Sequence, residues 1–282
     1  HNGRRRQRQM CIRDRDTTMV ESKFTLEEQM MARAISNATK ARPRCMPNPW
    51  VGAVLVSSDG QTFDGFTQEF GSGHAETVCL DEAGRKAQGA TLYVTLEPCS
   101  HSGKTGPCVE RIIESRISRV VIGMKDPDRQ VCGEGIKSLQ NAGVDVVVGV
   151  LEDLVAEQLA PYVHHRNTGR PYVILKIATT LDGKVAAPDG SSQWITGAQA
   201  RREGHKLRAY SDAICVGRGT VISDNPQLTV RDWSADDDID KNLDPRRIVL
   251  GNVPAEAAIH PCYEFSGDCL LYTSDAADDD HC

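Results

Sequence analysis

The segment Thr91-Leu-Tyr-Val-Thr-Leu-Glu-Pro-Cys-Ser-His-Ser-Gly-Lys-Thr-Gly-Pro-Cys108 decides the fold of the first half of this chain. Its first five residues are mainly apolar or β-branched, which predicts a buried strand over residues 91–95. That strand delivers Cys99 at its carboxyl end, and Cys108 opens a stretch with helical apolar spacing. The segment therefore predicts a strand, a loop and a helix, with one thiol on each side of the loop.

A second segment, His74-Ala75-Glu76, completes a set of metal-binding side chains. One histidine nitrogen and the thiolates of Cys99 and Cys108 leave the fourth tetrahedral position of a zinc ion open, as catalytic zinc sites require. A carboxylate two residues from the histidine can serve as general acid and base. We therefore predict a catalytic zinc site with Glu76 as the acid/base, the arrangement of zinc deaminases that act on nucleobase-like rings.

The loop between the cysteines contains eight residues, where nucleic-acid and nucleoside deaminases usually have two. His101 and Lys104, with flexible glycines beside them, suit an anionic group such as a phosphate. The alternative is a solvated polar turn. Glu97, next to the Pro-Cys pair, is a candidate for orienting the ligands.

With these motifs in view, the chain resembles the bifunctional riboflavin-biosynthesis deaminase/reductase family. Further motifs carry the resemblance: Pro47–Val54, Asp126-Pro127-Asp128, Val131–Gly135, Pro171–Ala178, Leu181–Lys184, Ser192–Gly197 and Asp212–Thr220. The resemblance implies zinc-dependent hydrolytic deamination of a diaminopyrimidinone ribosyl phosphate. NADPH-dependent reduction of the ribosyl group to ribityl would follow in the intact protein.

The resemblance also implies site residues beyond the zinc cluster. For substrate binding in the deaminase half they are Asn48, His101, Lys104 and Asp126; for substrate binding in the reductase half, Ser192, Arg208, Leu228 and Arg231; for NADPH, Ala178, Trp194, Thr220 and Asp224. Two positions depart from the family pattern. The family usually has a histidine close to the position that is Thr67 in this chain. It also usually has an asparagine at the position that is Asp128 here.

The expected fold class is α/β: a cytidine-deaminase-like α/β/α sandwich followed by an incomplete dihydrofolate-reductase-like α/β domain. The expected segments are a non-native leader (1–21), a zinc deaminase domain (22–150), a connecting helix or linker (151–170), the amino-terminal part of a reductase domain (171–268) and a non-native tail (269–282). Because the family's reductase continues further, we expect a complete deaminase and a defective reductase with an exposed sheet face.

Individual elements follow from apolar periodicity. Thr25 to Glu28 matches a capping box before a helix. The expected strands are Val51–Val56, Thr91–Thr95, Arg119–Gly123, Val144–Val148, Tyr172–Ile177 and Ala213–Val216, and the expected later helices are Leu151–Asn167 and Ala198–Tyr210. Gly217-Arg-Gly219-Thr220 lacks the third glycine of a Rossmann fingerprint.

Composition narrows the function classes. The 282 residues carry a formal charge of −6, which argues against a general nucleic-acid binder. No stretch approaches the roughly 18 apolar residues of a membrane span, and no stretch of the given sequence resembles the apolar region of a secretory signal peptide. Ten irregularly spaced cysteines favour a reducing cytoplasm over a disulfide framework. The expected partner is a small phosphoribosyl pyrimidine substrate, and homo-oligomer formation is left open.

Two other functions compete with the riboflavin-pathway enzyme. One is a tRNA or nucleoside deaminase with an unrelated tail, and the long cysteine spacing disfavours it. The other is a non-catalytic zinc module, which the presence of Glu76 disfavours. A basic nucleic-acid-binding arm is the alternative interpretation of the arginines in the leader.

Overall fold

The computed structural model describes residues 24–101, 106–129, 131–192, 194–231, 233, 244–251 and 269–272. Among these, residues 24–41 and 49–170 form a first compact unit, and the segment 42–48 groups with residues from 171 onward in a second. In the described residues, no helix has both the length and the apolar character needed to cross a membrane.

The first unit contains both helices and strands. Its strands are β1 (Gly52–Val56), β2 (Thr62–Phe66), β3 (Thr91–Leu96), β4 (Arg119–Met124) and β5 (Asp145–Val148). Its helices are α1 (Leu26–Ala41), α2 (Ala75–Ala83), α3 (Cys108–Glu114), α4 (Glu134–Asn141), α5 (Glu152–Gln158) and α6 (Ala160–Thr168), with a 3-10 turn at Gly84–Ala87. The four strands predicted in this region are confirmed, and β2 is an additional strand.

The five strands form one mixed sheet in the order β2-β1-β3-β4-β5. Strand β1 pairs antiparallel with β2 and β3, whereas β3, β4 and β5 run parallel. Because parallel strands end at the same edge, the residues after β3 and β4 emerge side by side. Cys99 and Asp126 both belong to these emerging segments.

Two glycines show that helices cover both faces of this sheet. A Cβ on Gly52 of β1 would lie 2.0 Å from the Ala34 carbonyl oxygen of α1, and one on Gly65 of β2 would lie 2.2 Å from the Ala75 carbonyl oxygen of α2. Gly65 pairs with Ala53, the neighbour of Gly52, so the two glycines face opposite sides. Helices α1 and α2 therefore lie on opposite faces, which confirms the predicted α/β/α sandwich.

The start of α1 has the predicted capping box. The Thr25 amide donates to Glu28 Oε2 at 2.7 Å, and the Glu28 amide donates to Thr25 Oγ1 at 3.3 Å. These bonds satisfy amides that the helix itself leaves without acceptors.

The predicted helix over 151–167 is two helices with a break at Leu159. Pro161 lies in the first turn of α6, where no hydrogen bond within the helix requires its missing amide. In the interior of one long helix the same proline would remove a backbone hydrogen bond, so α5 ends before it. The break redirects α6, whose residues Tyr162 and Arg166 contact the loop after β4.

The second unit contains α7 (Ala198–Ala209), β6 (Ala213–Gly217), α8 (Arg218–Asp224), β7 (Arg246–Leu250) and β8 (Cys269–Tyr272). The three strands are parallel in the order β6-β7-β8. The predicted helix and the strand that follows it are therefore confirmed.

The predicted buried strand Tyr172–Ile177 is wrong. This segment forms no strand, and its side chains are exposed, with Val173 and Leu175 both at 81%. A run of β-branched and apolar residues forms a strand only when a neighbour accepts its backbone hydrogen bonds. Among the described residues, no strand pairs with this segment.

Candidate active site

His74 and Glu76 lie at the start of α2. His74 is the N-cap residue in an extended conformation, and its carbonyl accepts from the Val78 amide at 3.1 Å. Glu76, in the first helical turn, is only 4% exposed. The close approach of α2 to Gly65 holds this helical start against the sheet.

The two cysteines bracket the loop that follows β3. Cys108 is the first residue of α3, and its amide donates to Cys99 Sγ at 3.4 Å. The next amide, that of Val109, donates to the Cys99 carbonyl oxygen at 3.2 Å. The amino end of α3 therefore faces the Cys99 sulfur. Backbone amides at this end of the helix and the positive end of the helix dipole stabilise a thiolate there.

The three side chains converge on one point. His74 Nδ1 lies 3.2 Å from Cys108 Sγ and 3.6 Å from Cys99 Sγ, and one ligand atom from each residue lies within 4.8 Å of the others. Zinc–nitrogen and zinc–sulfur bonds at tetrahedral angles would separate nitrogen from sulfur by about 3.6 Å. This donor set therefore fits a zinc ion held by three protein ligands.

Electrostatics within the cluster favour a thiolate. The hydrogen bond between the two sulfurs lowers the pKa of Cys99 to about 4, and the same bond raises the pKa of Cys108. Hydrogen bonding to Cys99 raises the pKa of His74. Burial raises the pKa of Glu76, which lies two residues from His74 in the first turn of α2.

Glu97 fixes the segment that carries Cys99. Its Oε2 accepts from the amides of Asp126 at 3.2 Å and Gly133 at 2.9 Å, and its Oε1 accepts from the Ile136 amide at 3.2 Å. This buried carboxylate thus joins the end of β3 to the loop after β4 and to the start of α4. The sequence indicated an orienting role for Glu97 but gave no sign of these backbone partners.

We expect the Glu97→Gln variant to lower the free energy of unfolding by about 1–3 kcal/mol, because the amide NH2 group would face at least one buried backbone N–H. Urea denaturation measures this loss. The matched control is Glu110→Gln, an exposed residue on α3, which should leave the midpoint unchanged. Equal midpoints for Glu97→Gln and the wild type would contradict this role.

The predicted deaminase substrate residues that the structure describes differ in burial and in hydrogen bonding. Asp126 is 6% exposed; both of its carboxylate oxygens accept from the Tyr162 hydroxyl, at 2.9 and 3.2 Å. His101 is exposed, and Lys104 lies outside the described residues. Asn48 belongs to the second unit, where its amide donates to the Cys45 carbonyl oxygen at 2.8 Å.

Thr67, the residue that departs from the family pattern, has a structural role. The Val51 amide donates to Thr67 Oγ1 at 3.2 Å, and the Thr67 amide donates to the Val51 carbonyl oxygen at 2.9 Å. The side chain is buried and extends the pairing of β1 with β2 by one step.

Three of the predicted reductase substrate residues gather around one segment of the second unit. Arg208 Nη1 donates to the Thr229 carbonyl oxygen at 2.9 Å, and Arg231 Nη1 donates to Thr229 Oγ1 at 2.7 Å. Leu228 is buried with a φ of 55°. Ser192, the fourth, is exposed.

The predicted NADPH residues are mostly exposed. Trp194 is 70% exposed, with the Arg201 guanidinium 4.4 Å from its ring centroid. Thr220 and Asp224 are exposed on α8, and Ala178 is half-buried.

Two residues near the site escaped the sequence analysis. Tyr162 and Arg166 lie one turn apart on α6 and contact Asp126 and Asp128 respectively. The sequence shows that Tyr162 and Arg166 are four residues apart, but this spacing does not indicate which segment they contact.

Comparisons with known proteins agree with this site. Residues 25–124 match the cytidine and deoxycytidylate deaminase zinc-binding region, and residues 171–275 match the RibD C-terminal domain. The chain is 41% identical over 249 residues to the riboflavin biosynthesis protein RibD of Escherichia coli (strain K12), covering 86% of this chain and 68% of that protein. The chain belongs to the RibD family.

Other members of the RibD family give the same result. The RibD protein of Aquifex aeolicus (strain VF5) is 46% identical over 206 residues, covering 73% of this chain and 58% of that protein. The solved structure of Acinetobacter baumannii RibD (form 1) has a TM-score of 0.77 and 40% identity, covering 86% of this chain and 68% of that chain. The family joins a zinc-binding deaminase domain to a reductase domain in riboflavin biosynthesis, and the donor set of this chain fits its zinc.

Proposed function

We propose that this chain catalyses the zinc-dependent hydrolytic deamination of a diaminopyrimidinone ribosyl phosphate, a step of riboflavin biosynthesis. The observation that carries the proposal is the convergence of His74, Cys99 and Cys108 beside the buried carboxylate of Glu76. When bound, zinc would supply a Lewis acid that activates water at neutral pH.

The residues of the chain then divide the chemistry between them. His74, Cys99 and Cys108 would hold the metal, and Glu76 would accept a proton from the attacking water and return one to the departing amine. Burial of Glu76 keeps bulk water from competing for that proton. The loop with His101 and Lys104 would bind the substrate phosphate, and Asp126 would also contribute to substrate binding.

Ammonia release from this substrate by zinc-loaded protein tests the proposal. Release that depends on both substrate and zinc is the expected result. Bound zinc without any deamination would instead favour a non-catalytic zinc module, and equal activity on cytidine would favour a nucleoside deaminase.

We further propose that the second unit does not support the reductase step at a comparable rate. The support is the exposure of Trp194, Thr220 and Asp224, together with the exposed apolar side chains of residues 173–177, which form no strand. Hydride transfer requires a cofactor held in a largely desolvated pocket.

In a coupled assay, we therefore expect ammonia production without matching NADPH oxidation. Absorbance of NADPH measures the second step after the first has supplied the deaminated intermediate. NADPH oxidation as fast as deamination would contradict this expectation.

We propose a cytoplasmic location and a small-molecule partner rather than nucleic acid. Six of the described cysteines form no disulfide, which supports a reducing compartment: Cys45, Cys79, Cys99, Cys108, Cys132 and Cys215. The net charge of −6 opposes binding to a phosphate backbone.

A further inference from the structure

Helix α6 contacts the loop Asp126-Pro127-Asp128 through two side chains. Tyr162 donates its hydroxyl hydrogen to the Asp126 carboxylate, and the Arg166 guanidinium lies 3.3 Å from Asp128 Oδ2. The two residues are four apart and share one helix face. Each of them therefore engages one of the two acidic residues of the loop.

The contact with Asp126 is partly buried, because Asp126 is 6% exposed while Tyr162 is half-buried, and the carboxylate has more than one donor. Besides the Tyr162 hydroxyl, the Asp128 amide donates to Asp126 Oδ1 at 2.8 Å. A buried carboxylate needs such donors, because losing one leaves charge without solvation. Removing the Tyr162 hydroxyl therefore frees Asp126 to rotate toward other donors or water.

The contact with Asp128 is more exposed and weaker. The side chains of Arg166 and Asp128 are 39% and 21% exposed, so solvent screens the pair. The Arg166 guanidinium also lies 5.2 Å from the centroid of the Tyr162 ring. Arg166 thus contacts both the loop and the tyrosine that holds it.

The same loop connects to the metal-ligand segment. The Asp126 amide donates to Glu97 Oε2, and Glu97 lies two residues before Cys99. A displacement of Asp126 therefore changes the position of the loop after β4. The bonds that Glu97 accepts from the Gly133 and Ile136 amides would still hold the segment that carries Cys99 in place.

We propose that Tyr162 and Arg166 are positioning residues that hold the Asp126-Pro127-Asp128 loop in its substrate-binding conformation. This inference rests on the proposed deaminase function. Because the contacts of Tyr162 and Arg166 are with Asp126 and Asp128 of the loop, loss of these contacts should weaken substrate binding and leave the chemical step intact.

The first test is Tyr162→Phe, which keeps the ring and removes only the hydroxyl. We expect KM for the diaminopyrimidinone ribosyl phosphate to rise on the order of tenfold, with kcat and zinc content within about twofold of wild type. Tyr93→Phe, the same change at a buried residue of β3, is the matched control and should leave KM unchanged. An unchanged KM in an active Tyr162→Phe enzyme overturns the proposal.

The second test separates charge from structure at Arg166. Arg166→Ala should raise KM about threefold. In Arg166→Lys, KM should stay close to the wild-type value, because a lysine can still pair with Asp128. Equal KM values for Arg166→Ala and the wild type overturn the role of Arg166.

A third measurement does not depend on catalysis. Hydrogen exchange of the Asp128 amide, which donates to Asp126, should become faster in Tyr162→Phe than in Tyr93→Phe. Unchanged exchange overturns the positioning contact even where wild-type protein releases ammonia. Faster exchange in a protein that releases no ammonia supports the contact while rejecting the proposed function.

Discussion

Replacing Glu76 with glutamine is expected to lower the rate of ammonia release by a factor of about 100 to 10,000 while zinc remains bound. Glutamine has nearly the same shape as glutamate, so it fits the buried site at the start of α2. Its amide cannot accept and return a proton at neutral pH. Ammonia release and elemental analysis of the same preparation measure both parts of this prediction.

The control for this variant is Glu82→Gln, on the exposed face of the same helix. This change removes the same charge from the last turn of α2, away from the first turn that carries Glu76, and should keep wild-type activity. If Glu76→Gln retained more than about a tenth of the wild-type rate, Glu76 would not be the proton shuttle.

The double substitution Cys99→Ser and Cys108→Ser is expected to reduce zinc from about one ion per chain to nearly none, and to abolish deamination. Serine is similar in size but does not provide the thiolate that binds zinc at neutral pH. A zinc ion that binds only the folded chain also stabilises it, so the wild type should lose thermal stability with a chelator and the variant should not.

Cys132→Ser provides the matched control, because Cys132 is an exposed thiol of the same unit outside the cluster. It should keep both zinc and activity. A full zinc content in the double variant would show that other residues bind the metal.

The sequence predicted much of the first unit because its signals are local. A buried strand such as β3 is a short run of β-branched and apolar residues, and the capping box of α1 lies within four residues. Metal ligands are similarly readable, since zinc selects histidine and cysteine at the ends of such elements. His74, Cys99 and Cys108 were therefore identified as one set before their distances were known.

Strand β2 and the segment 172–177 show where local signals fail. Strand β2 reads Thr-Phe-Asp-Gly-Phe, with a central charge and a glycine, yet it pairs along its whole length with β1. Segment 172–177 has stronger strand propensity but forms no strand. Pairing between strands supplies the hydrogen bonds, so the available neighbour outweighs propensity in both cases.

The sequence by itself predicted the side chains that fit zinc, a carboxylate suited to proton transfer, and most of the order of strands and helices that presents them. Only the tertiary structure decided how the site is supported. Glu97 accepts three backbone amides, and Tyr162 reaches across 36 residues of sequence to Asp126. Ligand identity depends on residue type, whereas these supports depend on which segments fold against one another, and no local pattern encodes that proximity.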